Sequence, residues 1–153
     1  MKAALVLPIA AVFLAGCGGG SPKVETLYSG GDWVVDLNDG KAEVQHHVNG
    51  KWVVDRSRAV KIEILGPKPG ETLTANPPQV AITMHSKTPL VESALWLDGN
   101  RLFEKGGGTP TNGTIYGAPP NALDPGQHVA VGYARTATGG TAVAWVFQAP
   151  KKG

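Results

Sequence analysis

The chain has 153 residues, a net charge of +2 and only 17% charged residues, while Gly 21 and Pro 12 together make up about a fifth of it. That composition excludes helix bundles and coiled coils, which draw on charged helix formers and avoid Gly and Pro. The 42% hydrophobic fraction is too high for a disordered chain, and a nucleic-acid-binding domain would be more basic, so no nucleic-acid partner is expected.

Met1-Lys2 places one positive charge ahead of the apolar run Ala3 to Leu14. Twelve residues of helix rise roughly 18 Å, too short for a ~30 Å hydrocarbon core, so the run has the make-up of a secretory signal instead. Leu14-Ala15-Gly16-Cys17 follows and closely resembles the lipobox of bacterial lipoproteins. The resemblance implies cleavage before Cys17, acylation of its thiol by a palmitate-type chain, and membrane attachment through that lipid. Several acyl chains, at ~0.8 kcal/mol per buried methylene, hold a soluble domain to a bilayer. Gly18 is not the Asp that tends to retain lipoproteins at an inner membrane, so the resemblance favours the outer membrane, facing the periplasm, where two membranes exist. Cys17 is also the only cysteine, which rules out an intramolecular disulfide. Gly18-Gly19-Gly20-Ser21-Pro22 reads as a short flexible tether that keeps the domain within roughly 20 Å of the membrane.

From Asp32 the pattern is strands and turns. Trp33 to Leu37, Ala42 to Val48 and Lys51 to Val54 are separated by Asn38-Asp39-Gly40 and Asn49-Gly50, strong hairpin signals that predict a three-stranded meander. A meander this small needs something to dock on. Arg56, Arg58 and Lys61 form a basic cluster at its end, which reads as a solvated loop or as a contact for anionic lipid headgroups. Alternation resumes at Val60-Ile62-Ile64 and at Val80-Ile82-Met84, then Ser93 to Leu97 turns at Asp98-Gly99-Asn100. Residues 104–122 read as a long irregular connection with a short strand near Ile115-Tyr116. Val129-Val131-Tyr133 and Val143-Trp145-Phe147 follow, joined by Thr138-Gly139-Gly140. Short strands about ten residues apart, with turn signals between them, predict an all-β sandwich.

Pro67-Lys68-Pro69-Gly70, Leu95-Trp96-Leu97-Asp98-Gly99, Leu123-Asp124-Pro125-Gly126-Gln127-His128 and Trp145-Val146-Phe147 succeed one another in an order similar to that of bacterial immunoglobulin-like domains. The resemblance covers about residues 60–149 and implies an immunoglobulin-like β-sandwich without specifying a function. The expected organisation is a signal at 1–16, acylated Cys17 and tether at 17–23, the β-meander at 24–58, the immunoglobulin-like domain at 59–149 and a tail at 150–153.

No catalytic constellation stands out, so a non-enzymatic envelope module is expected. No serine sits in a G-x-S-x-G elbow, the glycine runs lack the G-K-[ST] ending of a phosphate cradle, and no cofactor motif is present. His46, His47, His85 and His128 show no metal-ligand spacing, which leaves an envelope metal (copper) protein as an alternative without a named site.

If Leu95, Leu97, Val129, Val131, Tyr133, Val143, Trp145 and Phe147 point inward, then Ala94, Trp96, Ala130, Gly132, Ala134, Ala142, Ala144 and Val146 point outward. None of these eight is charged, whereas a solvated antiparallel face should carry polar side chains. That face is either covered by the meander or binds a partner, an envelope protein being the expected one. Trp33 and Trp52, in the related segments Asp32 to Asp36 and Lys51 to Asp55, are candidates for an aromatic platform of the carbohydrate-binding kind.

Overall fold

Turn chemistry sets where several strands begin and end. Asp39-Gly40, Asn49-Gly50 and Asp98-Gly99 each hold two successive residues at positive φ (47° and 75°, 50° and 79°, 49° and 78°). This is the backbone of tight two-residue hairpins, which Asn, Asp and Gly adopt at least cost. The computed structural model describes residues 24–103 and 105–151, so the signal, Cys17 and the tether lie outside the described residues. The described chain is all-β, with strands β1 (Val24–Gly30), β2 (Trp33–Asn38), β3 (Lys41–Val48), β4 (Lys51–Val54), β5 (Val60–Gly66) and β6 (Val80–Ser86). Then come β7 (Leu90–Leu97), β8 (Asn100–Arg101), β9 (Lys105–Thr109), β10 (Asn112–Gly117), β11 (Gly126–Thr136) and β12 (Gly140–Ala149).

These strands form three antiparallel sheets, ordered β1-β2-β3-β4, β5-β6-β10-β9 and β12-β11-β7-β8. The second and third sheets face each other in the strand order of an immunoglobulin-like sandwich. Their shared core contains Val60, Val80, Ile82, Met84, Leu95, Leu97, Trp145 and Phe147, all at most 4% exposed. The other face of the second sheet is polar, with Lys61 opposite His85 and Thr83 opposite Thr114. The third sheet differs: both of its faces are apolar. Its second face packs against the N-terminal sheet in a separate core of Trp33, Val35, Val44, Ala94, Trp96, Val131 and Tyr133. The third sheet is thus the middle layer of three.

Two segments depart from the sequence expectation. The N-terminal sheet has four strands instead of three, because Val24–Gly30 pairs with β2. Its alternation is hidden by a bulge: Thr26 lies opposite Asp36 and Tyr28 opposite Val35, which leaves Leu27 as the extra residue. The segment read as an irregular connection contains two paired strands, β9 and β10. Its glycines permit that pairing: a Cβ on Gly106 would collide with the carbonyl of Thr114, and one on Gly108 with that of Asn112.

Packing across the middle layer should make the three sheets unfold together. Val35 is fully buried between the N-terminal sheet and the sandwich, and Val35→Ala is expected to cost about 2 kcal/mol. Urea unfolding followed by tryptophan fluorescence should show one transition moved to lower urea. Two transitions, with only the first displaced, would mean the N-terminal sheet folds separately.

Candidate functional site

The uncharged face differs in composition from the sequence expectation. Residues directly opposite each other in a sheet share a face. Ala130 lies opposite Leu97 and Trp145, Gly132 opposite Leu95 and Val143, and Ala134 opposite Ser93 and Thr141. Ala130, Gly132 and Ala134 therefore point into the sandwich core, while Val129, Val131 and Tyr133 point to the other face with Ala94, Trp96, Ala142, Ala144 and Val146. Volume explains the inversion. A Cβ on Gly132 would stand 2.9 Å from Ile82 Cδ1 and 3.7 Å from the Trp145 ring, so only small residues of β11 fit between those neighbours. The bulkier residues of β11 fill the gap under the N-terminal sheet. The face is covered, and Ala94 and Trp96 are 1% and 2% exposed.

The two tryptophans are also separated. Trp33 pairs in register with His46 and Trp52 with His47. Adjacent residues of one strand face opposite ways, so the two rings lie on opposite faces of the N-terminal sheet. Trp33 is buried, stacked on His46 at 4.0 Å between centroids, with the Arg135 guanidinium 5.4 Å from its ring centroid. Trp52 is 47% exposed beside His47. They form no common platform.

Each histidine has its own structural setting. His46 stacks on Trp33, His47 lies by Trp52, and His85 Nδ1 is 2.6 Å from Asn112 Oδ1. His128 Nδ1 is 2.7 Å from Asp98 Oδ2, and its Nε2 is 2.7 Å from the Asp124 carbonyl. Among the described residues no three His, Cys, Asp or Glu side chains converge to hold a metal ion. Desolvation works against the charged His128 ring, but the Asp98 carboxylate and the Asp124 carbonyl outweigh it and raise its pKa above the ordinary value.

Where the N-terminal sheet joins the sandwich, Asp55 acts as a clamp. Its Oδ1 accepts from the Ser57 amide at 2.7 Å and its Oδ2 from the Gly140 amide at 2.8 Å. Its own amide donates to the Val44 carbonyl at 2.7 Å. Desolvation pushes the Asp55 pKa up, but the hydrogen bonds from Ser57 and Gly140 prevail and hold it below the usual carboxylate range. The β11–β12 turn approaches so closely that a Cβ on Gly139 would strike Ser57 Oγ and lie 2.6 Å from Ala59 Cβ. Gly139 thus serves this contact as well as the turn.

The linker held by Asp55 forms one wall of an open cleft of about 470 Å³. Ser57, Arg58 and Ala59 line one side, with Lys61 and His85 on the polar face of the second sheet, Ser86 at the end of β6, Lys87 and Thr88 after it, and Thr136 and Thr138 at the β11–β12 turn. No carboxylate lines it, although Lys61 also pairs with Glu63 just outside. The sequence groups Arg58 with Lys61, whereas Lys87, His85 and the threonines are brought beside them only by the tertiary fold. At the opposite end of the domain, where β1 begins, Glu25, Asp39 and Asp98 border a smaller cleft of about 360 Å³. No protein-family model matches the chain, and no curated protein matches it.

Two titrations follow. The raised pKa of His128 means its contribution to stability is full below the unfolded value and declines as pH rises through the folded one. His128→Ala should therefore narrow the stability difference from wild type as pH rises from 5 to about 8, read from urea midpoints. A constant difference would show that the charged form has no preferred partner. For Asp55, whose pKa is lowered, the contribution is present above the unfolded carboxylate value and lost as pH falls through the folded one. Asp55→Ala should cost roughly 1–3 kcal/mol at neutral pH and progressively less in acid.

Proposed function

We propose that this chain is a lipid-anchored, non-catalytic module of a bacterial cell envelope, held to the membrane through Cys17 and binding or structural in role. The sequence Leu14-Ala15-Gly16-Cys17, followed at once by the glycine tether, carries the reading. The strand order supports placing the sandwich with bacterial immunoglobulin-like domains, whose motif residues serve structural ends in this chain. Leu123 packs on the core, His128 ties β11 to the Asp98 turn, and Trp145 Nε1 donates to the Pro67 carbonyl at 2.8 Å. Because the uncharged face is covered from within, any envelope partner must be met elsewhere on the surface.

Expression of the full chain in a bacterium fed radiolabelled palmitate should label the protein and place it in the membrane fraction. Cys17→Ala should abolish the label. Unlabelled wild type, or a Cys17→Ala variant that still takes up the label, would contradict the anchor.

A further inference from the structure

The cleft beside the Asp55 clamp has the chemistry of an anion receptor. Arg58, Lys61 and Lys87 bring three cationic side chains to one opening, Lys61 being paired with Glu63, with hydroxyls from Ser57, Thr88 and Thr138 beside them and no carboxylate in the lining. Its linker wall is fixed by the Asp55–Ser57 bond and by the Ala59 amide, which donates to Ser57 Oγ at 3.3 Å. Arg58 is held there at φ 51°, a left-handed conformation uncommon for a residue with a Cβ. The cleft is thus built in part from a loop set before any ligand arrives, which lowers the ordering cost of binding.

Its place in the fold bears on the ligand's source. β1 starts beside the Asp98–Gly99 turn, where Glu25 reaches Gly99, and Asp98 is bonded to Val129. The cleft lies past the other end of β11, at Thr136 and Thr138. Seven residues of strand separate Val129 from Thr136, roughly 24 Å. A tether joined at Val24 therefore enters at the acidic end, next to Glu25, Asp39 and Asp98, and leaves the basic cleft at the far one. An anionic bilayer surface repels the first, and the second lies roughly 24 Å from the point where the tether joins, beyond a Debye length of about 8–10 Å.

We propose that the cleft binds a phosphate-type oxyanion carried by a ligand outside the anchoring membrane. Oxyanion binding stands on the cleft itself, whereas the choice of source rests on the lipid-anchor reading. Guanidinium and ammonium groups supply charge-assisted hydrogen bonds to such an anion, and flanking hydroxyls take up its remaining oxygens.

The test uses the full chain in non-ionic detergent, titrated with pyrophosphate by calorimetry at low ionic strength. Wild type should bind, and Arg58→Gly combined with Lys87→Gln should weaken binding about tenfold or more. Arg58→Gly removes the charge but suits the positive φ, so an unchanged melting temperature is expected to accompany the loss. Lys41→Glu, on the N-terminal sheet away from the cleft, should leave affinity within about twofold. No heat with wild type, undiminished binding in the double variant, or an equal loss in Lys41→Glu would overturn the cleft as the site. Vesicles containing phosphatidylglycerol supply the second arm, with the unlipidated Cys17→Ala chain. Failure to co-sediment supports a ligand outside the bilayer. Co-sedimentation that disappears in the Arg58→Gly, Lys87→Gln background would make the bilayer the source and refute that half of the proposal. Because the pyrophosphate arm does not require lipidation, its result is independent of whether Cys17 is an anchor.

Discussion

The structure depends on one constraint: the sheet β12-β11-β7-β8 is apolar on both faces. An antiparallel sheet can leave one face in water only if that face is polar, as Lys61, Thr83 and His85 make it on β5-β6-β10-β9. The middle sheet has no such face. Leu95, Leu97, Trp145 and Phe147 are buried in the sandwich, while Ala94, Trp96, Val131 and Tyr133 are buried under the N-terminal sheet. Neither cover is optional, and a four-stranded sheet that would be marginal alone gains the surface it needs. With the sole cysteine at position 17, no disulfide assists, so this burial is the main source of stability.

The same constraint organises the polar groups around it. Arg135 Nε bonds Glu92 Oε2 at 2.9 Å, the Tyr28 hydroxyl donates to the same oxygen at 3.2 Å, and the guanidinium lies over Trp33. An ion pair between two half-buried side chains adds little by its charge alone. Here it closes the edge of the second core and ties β1 to both β7 and β11. At the neighbouring join, Asp55 and Gly139 bring the linker onto the β11–β12 turn, and the cationic cleft is a product of that junction. Carboxylates border the cleft where β1 begins, and cations border the cleft where the linker crosses, beside the hydrogen-bonded Asp55.

Much of this was legible in the sequence, because turns and alternation are local properties. Asp39-Gly40, Asn49-Gly50 and Asp98-Gly99 announced hairpins, and alternation announced β5, β6, β11 and β12. What escaped had physical reasons. The bulge at Leu27 concealed β1, and the glycines of β9 looked irregular because their purpose, close approach to β10, is tertiary. On β11 the period of two was visible but its phase was not. With both faces apolar, no polar residue marks the side that water touches, and the small side chains went inward to accommodate Ile82 and Trp145. Charge is scarce on the last two strands, and the face it leaves apolar is covered by the chain's own N-terminal sheet. The cleft was half visible: Arg58 and Lys61 are close in sequence, whereas Lys87 and Thr138 reach them only through the fold.

The central claim is that residues 24–58 are a structural layer of the domain and not an appendage. A chain beginning at residue 59 tests it most directly, through its binding of a hydrophobic dye and its state of association in analytical ultracentrifugation. Exposure of Trp96, Val131 and Tyr133 should make this shortened chain bind the dye, self-associate and melt well below the full-length protein. A monomer that ignores the dye and melts with the full-length protein would contradict the account.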